Sequence, residues 1–189
     1  MATIREHGIG AVSARTVAAV AGVNQALVFY HFGSVRELVV AAFRDEAARQ
    51  IAGHRAGLAE VTSLGALVAF AATLRGESPA LTPLLAAAHT DPLLGEAAKA
   101  ALAEWIAEIE AVLTRILAAS VLDGLADPAD LARAVAAAFL GAELLGGVDP
   151  LAEESAFAVI GNLAALAQAL DGQGPVVRRA LKAAIKRTR

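Results

Sequence analysis

Apolar residues recur at three- and four-residue intervals along most of the chain. Leu94, Ala98, Ala101, Trp105, Ile109, Val112 and Ile116 make one stripe; Leu131, Val135, Ala138, Ala142 and Leu145 make another. That spacing places each set on one face of an α-helix, and no stretch alternates apolar with polar residues as a half-buried strand would. Asp-Pro pairs at Asp91-Pro92, Asp127-Pro128 and Asp149-Pro150, and the similar Ser78-Pro79, read as helix starts, with Asp or Ser as cap and proline in the first helical position. The pattern predicts an all-α chain, with helices over about residues 1–8, 14–20, 24–31, 34–59, 63–75, 79–89, 92–119, 128–146, 153–170 and 175–187.

The first three of these helices are too short to hold in water alone and must pack on one another. Ser13 can cap the second and Asn24 the third, and Gly22 stands between them, where a tight turn wants a residue that tolerates positive φ. Val17, Ala18, Ala21, Val23, Val28 and Phe32 can form a small core beneath. Two short helices joined by a Gly-containing turn are the parts of a helix-turn-helix.

Composition narrows the setting. The chain has 189 residues and no cysteine, so it has no disulfide framework and no thiolate metal site, and a reducing, cytoplasmic compartment fits. Arg5, Glu6 and His7 occupy the place where a signal peptide would be apolar. The uncharged run Ser155 to Leu170 holds Asn162 and Gln168 and falls short of the roughly 18 residues of a spanning helix, so no membrane partner is expected. With 57% of residues hydrophobic, the apolar faces must be buried in a core or at a subunit interface.

Charge is unevenly spread. Residues 1–50 sum to +1, residues 51–174 to −10 and residues 175–189 to +6. The acidic middle is a poor surface for nucleic acid, so a DNA contact would have to come from an end. The basic tail reads either as a solvated helix end that complements its own dipole or as an arm reaching for DNA.

The stretch "VSARTVAAVAGVNQALVFYHFGSVRELVVAAF", Val12 to Phe43, resembles the DNA-binding domain of TetR-type transcriptional regulators at Ser13, Ala18, Ala21, Gly22, Val23, Phe29, Phe32, Ser34 and Leu38. The resemblance implies an N-terminal three-helix helix-turn-helix domain, residues 1–46. It also implies a larger helical domain, residues 47–189, that binds a small-molecule effector and dimerises. Val35 stands where the family often has Lys, with Arg36 next to it. The family usually has further turns upstream of "IREHG", so the first helix is expected to be short and weakly anchored by Ile4 alone.

On that resemblance the residue types take roles. Gln25, at the start of the recognition helix, can bond adenine through N6 and N7. Asn24 can do the same or only cap the helix. Ala26 and Leu27 can touch a thymine methyl. Ser13, Arg15, Thr16, Tyr30, His31 and Arg36 are candidate phosphate contacts, which position the protein without reading sequence. His31 can equally be a packed or solvated histidine, and Phe29 and Phe32 are assigned to the core. The expected partner is a palindromic operator in double-stranded DNA, bound by a homodimer that an effector releases.

For the effector, Phe70, His89, Trp105 and Ile109 are candidate lining, with Arg75 or Glu108 as polar anchor. Aromatic residues make up only 4% of the chain, so a pocket wall would be mostly aliphatic and suit a small or flexible apolar molecule. The dimer is expected on the helices near 128–146 and 153–170, where Ala138, Gly141, Ala142, Gly161 and Ala165 are small enough for close helix approach.

Other chemistry finds little support. "GIGAVS" lacks the third glycine and the preceding strand of a phosphate loop. The four histidines show no metal spacing, and no Gly-x-Ser-x-Gly elbow is present. Glu104 and Glu108, one turn apart, read as a solvated face or pocket lining more readily than as a catalytic pair. No catalytic residue, metal or cofactor is assigned. An all-α enzyme, or a helical interaction protein without DNA binding, remains the alternative.

Overall fold

Helix starts are set by side chains only two or three residues from the amides they bond. Ser13 accepts the Thr16 amide at 3.1 Å, Asn24 the Ala26 amide at 2.9 Å and Ser63 the Ala66 amide at 3.1 Å. Asp91, Asp127 and Asp149 likewise accept from Leu93, Ala129 and Leu151, each with proline in the next position. Each cap satisfies an amide that the first turn would leave unpaired.

A computed structural model describes residues 1–77, 80–118, 120, 122–124, 126–173, 176, 179–180 and 183–184. These residues hold α1 (Ala2–His7), α2 (Ala14–Ala21), α3 (Gln25–Phe32), α4 (Val35–Glu60), α5 (Leu64–Thr73), α6 (Leu81–Ala88), α7 (Pro92–Leu117), α8 (Pro128–Gly146) and α9 (Pro150–Asp171). The protein is all-α, and no strand occurs among the described residues. α9 begins at Pro150, three residues before the periodicity alone suggests, because the Asp149 cap sets its start. The start expected at Ser78-Pro79 lies outside the described residues, and most of the helix expected over 175–187 does too.

The chain divides into two compact units, residues 1–53 with 76–104 and residues 54–75 with 105–189. In the first, Ile4, Val40, Phe43, Leu84, Leu94 and Ala97 form the core, with Met1, Ile9 and Val12 packed against it. Of the residues of α1, Thr3 and Ile4 are buried, and Ile4 is its one large apolar anchor. In the second, Leu58, Leu67, Ile109, Val112, Leu113 and Ala132 form the core, and α9 packs against both α5 and α8. α4 and α7 are continuous helices that contribute residues to both units. No single helix among the described residues is long and apolar enough to cross a membrane.

Candidate nucleic-acid interface

α2 and α3 pack on each other through a turn that only glycine makes cheaply. Gly22 sits at φ 67° and ψ 29°, the left-handed conformation that ends α2. The Val23 amide then donates back to the Ala18 carbonyl at 3.0 Å, which closes the helix end and turns the chain toward Asn24. Ser13 and Thr16 form a reciprocal capping box: the Thr16 amide donates to Ser13 Oγ, and the Ser13 amide to Thr16 Oγ1 at 2.9 Å. The Thr16 hydroxyl also donates to the Ala11 carbonyl at 2.8 Å, so it is committed to holding α2 in place.

α3 buries little. Val28 and Ala18 of α2 are each 4% exposed, but Gln25, Ala26, Leu27, Tyr30 and His31 are all exposed. Gln25 makes no side-chain hydrogen bond with any described residue, whereas the Asn24 carbonyl oxygen is held by its cap. Tyr30 is 81% exposed, with its ring edge-on to His31 at 5.0 Å. Phe29 and Phe32 are 52% and 38% exposed, and Ala21 and Val23 are exposed too, which corrects their assignment to the core. The reason is geometric: α3 is only eight residues long and packs chiefly on α2, so its buried strip is narrow, and Val28 fills it.

From Gly8 to Val35 the chain has no carboxylate and one cation, Arg15, which is exposed and unpaired among the described residues. A phosphate backbone meets no repulsion from this segment. Arg36 is not free. Its Nε donates to both Asp91 oxygens, at 2.7 and 2.9 Å, and its Nη2 to Oδ1 at 2.5 Å. Hydrogen bonding from Arg36 holds the Asp91 carboxyl below its ordinary pKa, and the carboxylate raises that of the guanidinium. The start of α4 is capped by Ser34, whose Oγ accepts the Glu37 amide at 3.1 Å and donates to Glu37 Oε2 at 3.0 Å.

The other candidate residues are dispersed. Phe70 and Trp105 both stand edge-on to His54, at 6.1 and 5.8 Å, and Ile109 is buried in the core of the second unit. Glu108 accepts from Arg55 Nε at 2.6 Å. Arg75 lies 5.2 Å from the ring centre of Phe157 and 4.0 Å from Glu153. His89 caps the end of α6, in the first unit. Of the small residues on α8 and α9, Ala138 and Ala165 are exposed, Gly141 and Gly161 half-buried and Ala142 buried. Gly161 faces Val68 of α5 closely enough that a Cβ would lie 3.9 Å from its Cγ1. Around them stand large exposed apolar side chains that the small-residue pattern does not signal: Leu144, Leu145, Val148, Leu151, Val159, Leu163 and Leu166. No three potential metal-ligating side chains come together among the described residues.

Residues 1–42 match the family model for bacterial regulatory proteins of the tetR family. The fold is similar to the crystal structure of a TetR transcriptional regulator from Legionella pneumophila, with a TM-score of 0.66 and 20% identity. The similarity covers 86% of this chain and 91% of that one. No curated protein matches the sequence. The structural likeness carries the fold, and the N-terminal match falls on the helix-turn-helix, so residues 1–42 are similar to the segment that marks the tetR family of bacterial regulatory proteins.

Proposed function

We propose that the protein is a ligand-responsive repressor: a cytoplasmic homodimer that sets two copies of α3 into a palindromic operator and releases it when a small molecule binds. In this division of labour residues 1–46 read DNA, and residues 47–189 bind the effector and the second copy. Gln25 carries the reading. It is exposed at the first turn of α3, its amide is unpaired, and a glutamine amide matches the N6 and N7 edge of adenine. Asn24 fixes the helix start beside it, and Ala26 and Leu27 are exposed for contact with thymine methyls. Arg15, Tyr30 and His31 are exposed for phosphate contacts.

Two recognition helices reach successive major grooves on one face of the duplex when they stand about one turn, ~34–36 Å, apart. The exposed apolar side chains of α8 and α9 support pairing of two copies, since a monomer seldom leaves such a surface bare. An effector that favours another spacing shifts the equilibrium by its differential affinity for the two states. α4 and α7, shared between the units, are the continuous elements able to carry that shift.

Footprinting of the purified protein on genomic DNA tests the reading. The expected result is protection of a palindrome with half-sites one turn apart, lost with Gln25→Ala. Binding that is uniform across sequences and driven by low salt alone would overturn it.

A further inference from the structure

The second unit contains a cavity of about 330 Å³ between α5, α8 and α9. Close-packed interiors seldom leave voids larger than a water molecule, and this one is about twice a cavity known to take a benzene ring. Every side chain that lines it is aliphatic or aromatic, among them Leu67, Val68, Val135, Phe139 and Phe157. The lining residues that are exposed, Ala134, Ala138, Ile160 and Leu163, come from α8 and α9 and none from α5. The cavity therefore opens between α8 and α9 and is closed at the α5 side, where Leu67 is buried. The nearby charges, Arg75 and Glu153, face each other and do not line it.

We infer that this cavity binds an uncharged molecule whose inserted part is hydrocarbon, a flexible chain or a small ring, with any polar group left at the mouth between α8 and α9. An inserted hydroxyl or carbonyl would find no partner in the wall, and an inserted charge would lose its hydration with nothing in return. The apolar ligand fills space that otherwise forfeits dispersion contacts along sixteen side chains. That the occupant is the effector rests on the regulator reading above; that the cavity takes an apolar molecule does not.

The test uses the full chain and the neutral fluorescent dye phenylnaphthylamine. Saturable binding of one dye per chain is expected, with displacement by decanol at least about tenfold more effective than by decanediol, whose second hydroxyl must be buried or bent back. Ala138→Phe at the mouth and Ala71→Leu inside should each weaken dye binding about tenfold with unchanged helix content. Leu93→Gln, at an exposed apolar position in the first unit and outside the lining, should leave it intact. The inference is overturned by any of three outcomes. These are dye affinity unchanged in both filled variants, affinity lost in Leu93→Gln instead, or decanediol competing as well as decanol. Operator binding is measured on the same sample. Dye binding without DNA binding would defeat the regulator reading and leave the cavity assignment standing, and the reverse result would do the opposite.

Discussion

Arg36 and Asp91 form a two-pronged ion pair, with Nε 2.7 Å from one carboxylate oxygen and Nη2 2.5 Å from the other, that ties the first turn of α4 to the cap of α7 within the first unit. Asp91 also accepts from the Leu93 and Leu94 amides at 3.0 Å each. Its carboxyl is held below the ordinary value, by Arg36 first and the Leu94 amide second. The folded state thus favours the ionised form. The pair's contribution is fully present above the unfolded carboxylate pKa of about 4 and is lost as pH falls below it. Thermal unfolding followed from neutral to acid pH should show native protein more stable than Asp91→Asn at neutral pH, with the gap closing below about pH 4. A gap that persists in acid would mean the carboxylate charge is not what matters.

Because Arg36 is already paired, its loss should barely change the salt dependence of DNA binding, although the first unit loses a tie. Arg15 is exposed and unpaired, so Arg15→Ala should lower the salt slope by about one unit. Operator affinity measured against salt for the two variants decides between them, and the opposite order would reverse these assignments.

Gln25→Ala should weaken specific operator binding by about 1–3 kcal/mol and leave binding to random DNA nearly unchanged. Equal losses on both DNAs would exclude base reading at this position.

Gly22 and Gly53 should respond to alanine with opposite signs. A Cβ at either meets nothing within 4 Å, so space does not distinguish them. Gly22 holds φ 67°, where alanine costs about 1–2 kcal/mol. Gly53 lies inside α4 with no positive φ, where alanine gains about 0.5–1 kcal/mol. Denaturation midpoints report both.

Replacing Leu145 and Leu166, exposed on α8 and α9, with Glu should give a monomer that binds operator far more weakly. Sedimentation at micromolar concentration checks this. A native chain that is itself monomeric under those conditions would refute the dimer.

The helix-turn-helix was legible because its determinants are local. Ser13, Gly22 and Asn24 act through bonds to residues at most four positions away, and such patterns survive in a linear reading. Phe29 and Phe32 were not, because three-residue spacing fits a buried strip as well as an exposed one. Which strip is buried depends on which elements α3 packs against, chiefly α2, and Val28 is its one buried residue. Arg36 reads as a phosphate contact until Asp91 arrives beside it from 55 positions along the chain. The cavity was hidden for the same reason. Its wall joins α5 to α8 and α9, and none of the candidate lining residues, Phe70, His89, Trp105 and Ile109, stands on it.

Six of the sixteen lining positions of the cavity are alanine, at Ala71, Ala134, Ala138, Ala142, Ala164 and Ala167. Alanine is the smallest side chain a helix carries without the conformational freedom of glycine, so replacement there by a larger apolar residue subtracts room from the cavity and leaves the backbone as it was. If the cavity takes the ligand proposed above, its preferred length can be retuned one methylene at a time, by single substitutions in the second unit that leave Gln25 and its neighbours in the first unit untouched. On the proposed reading, a lineage carrying this wall can change what it senses while keeping what it reads.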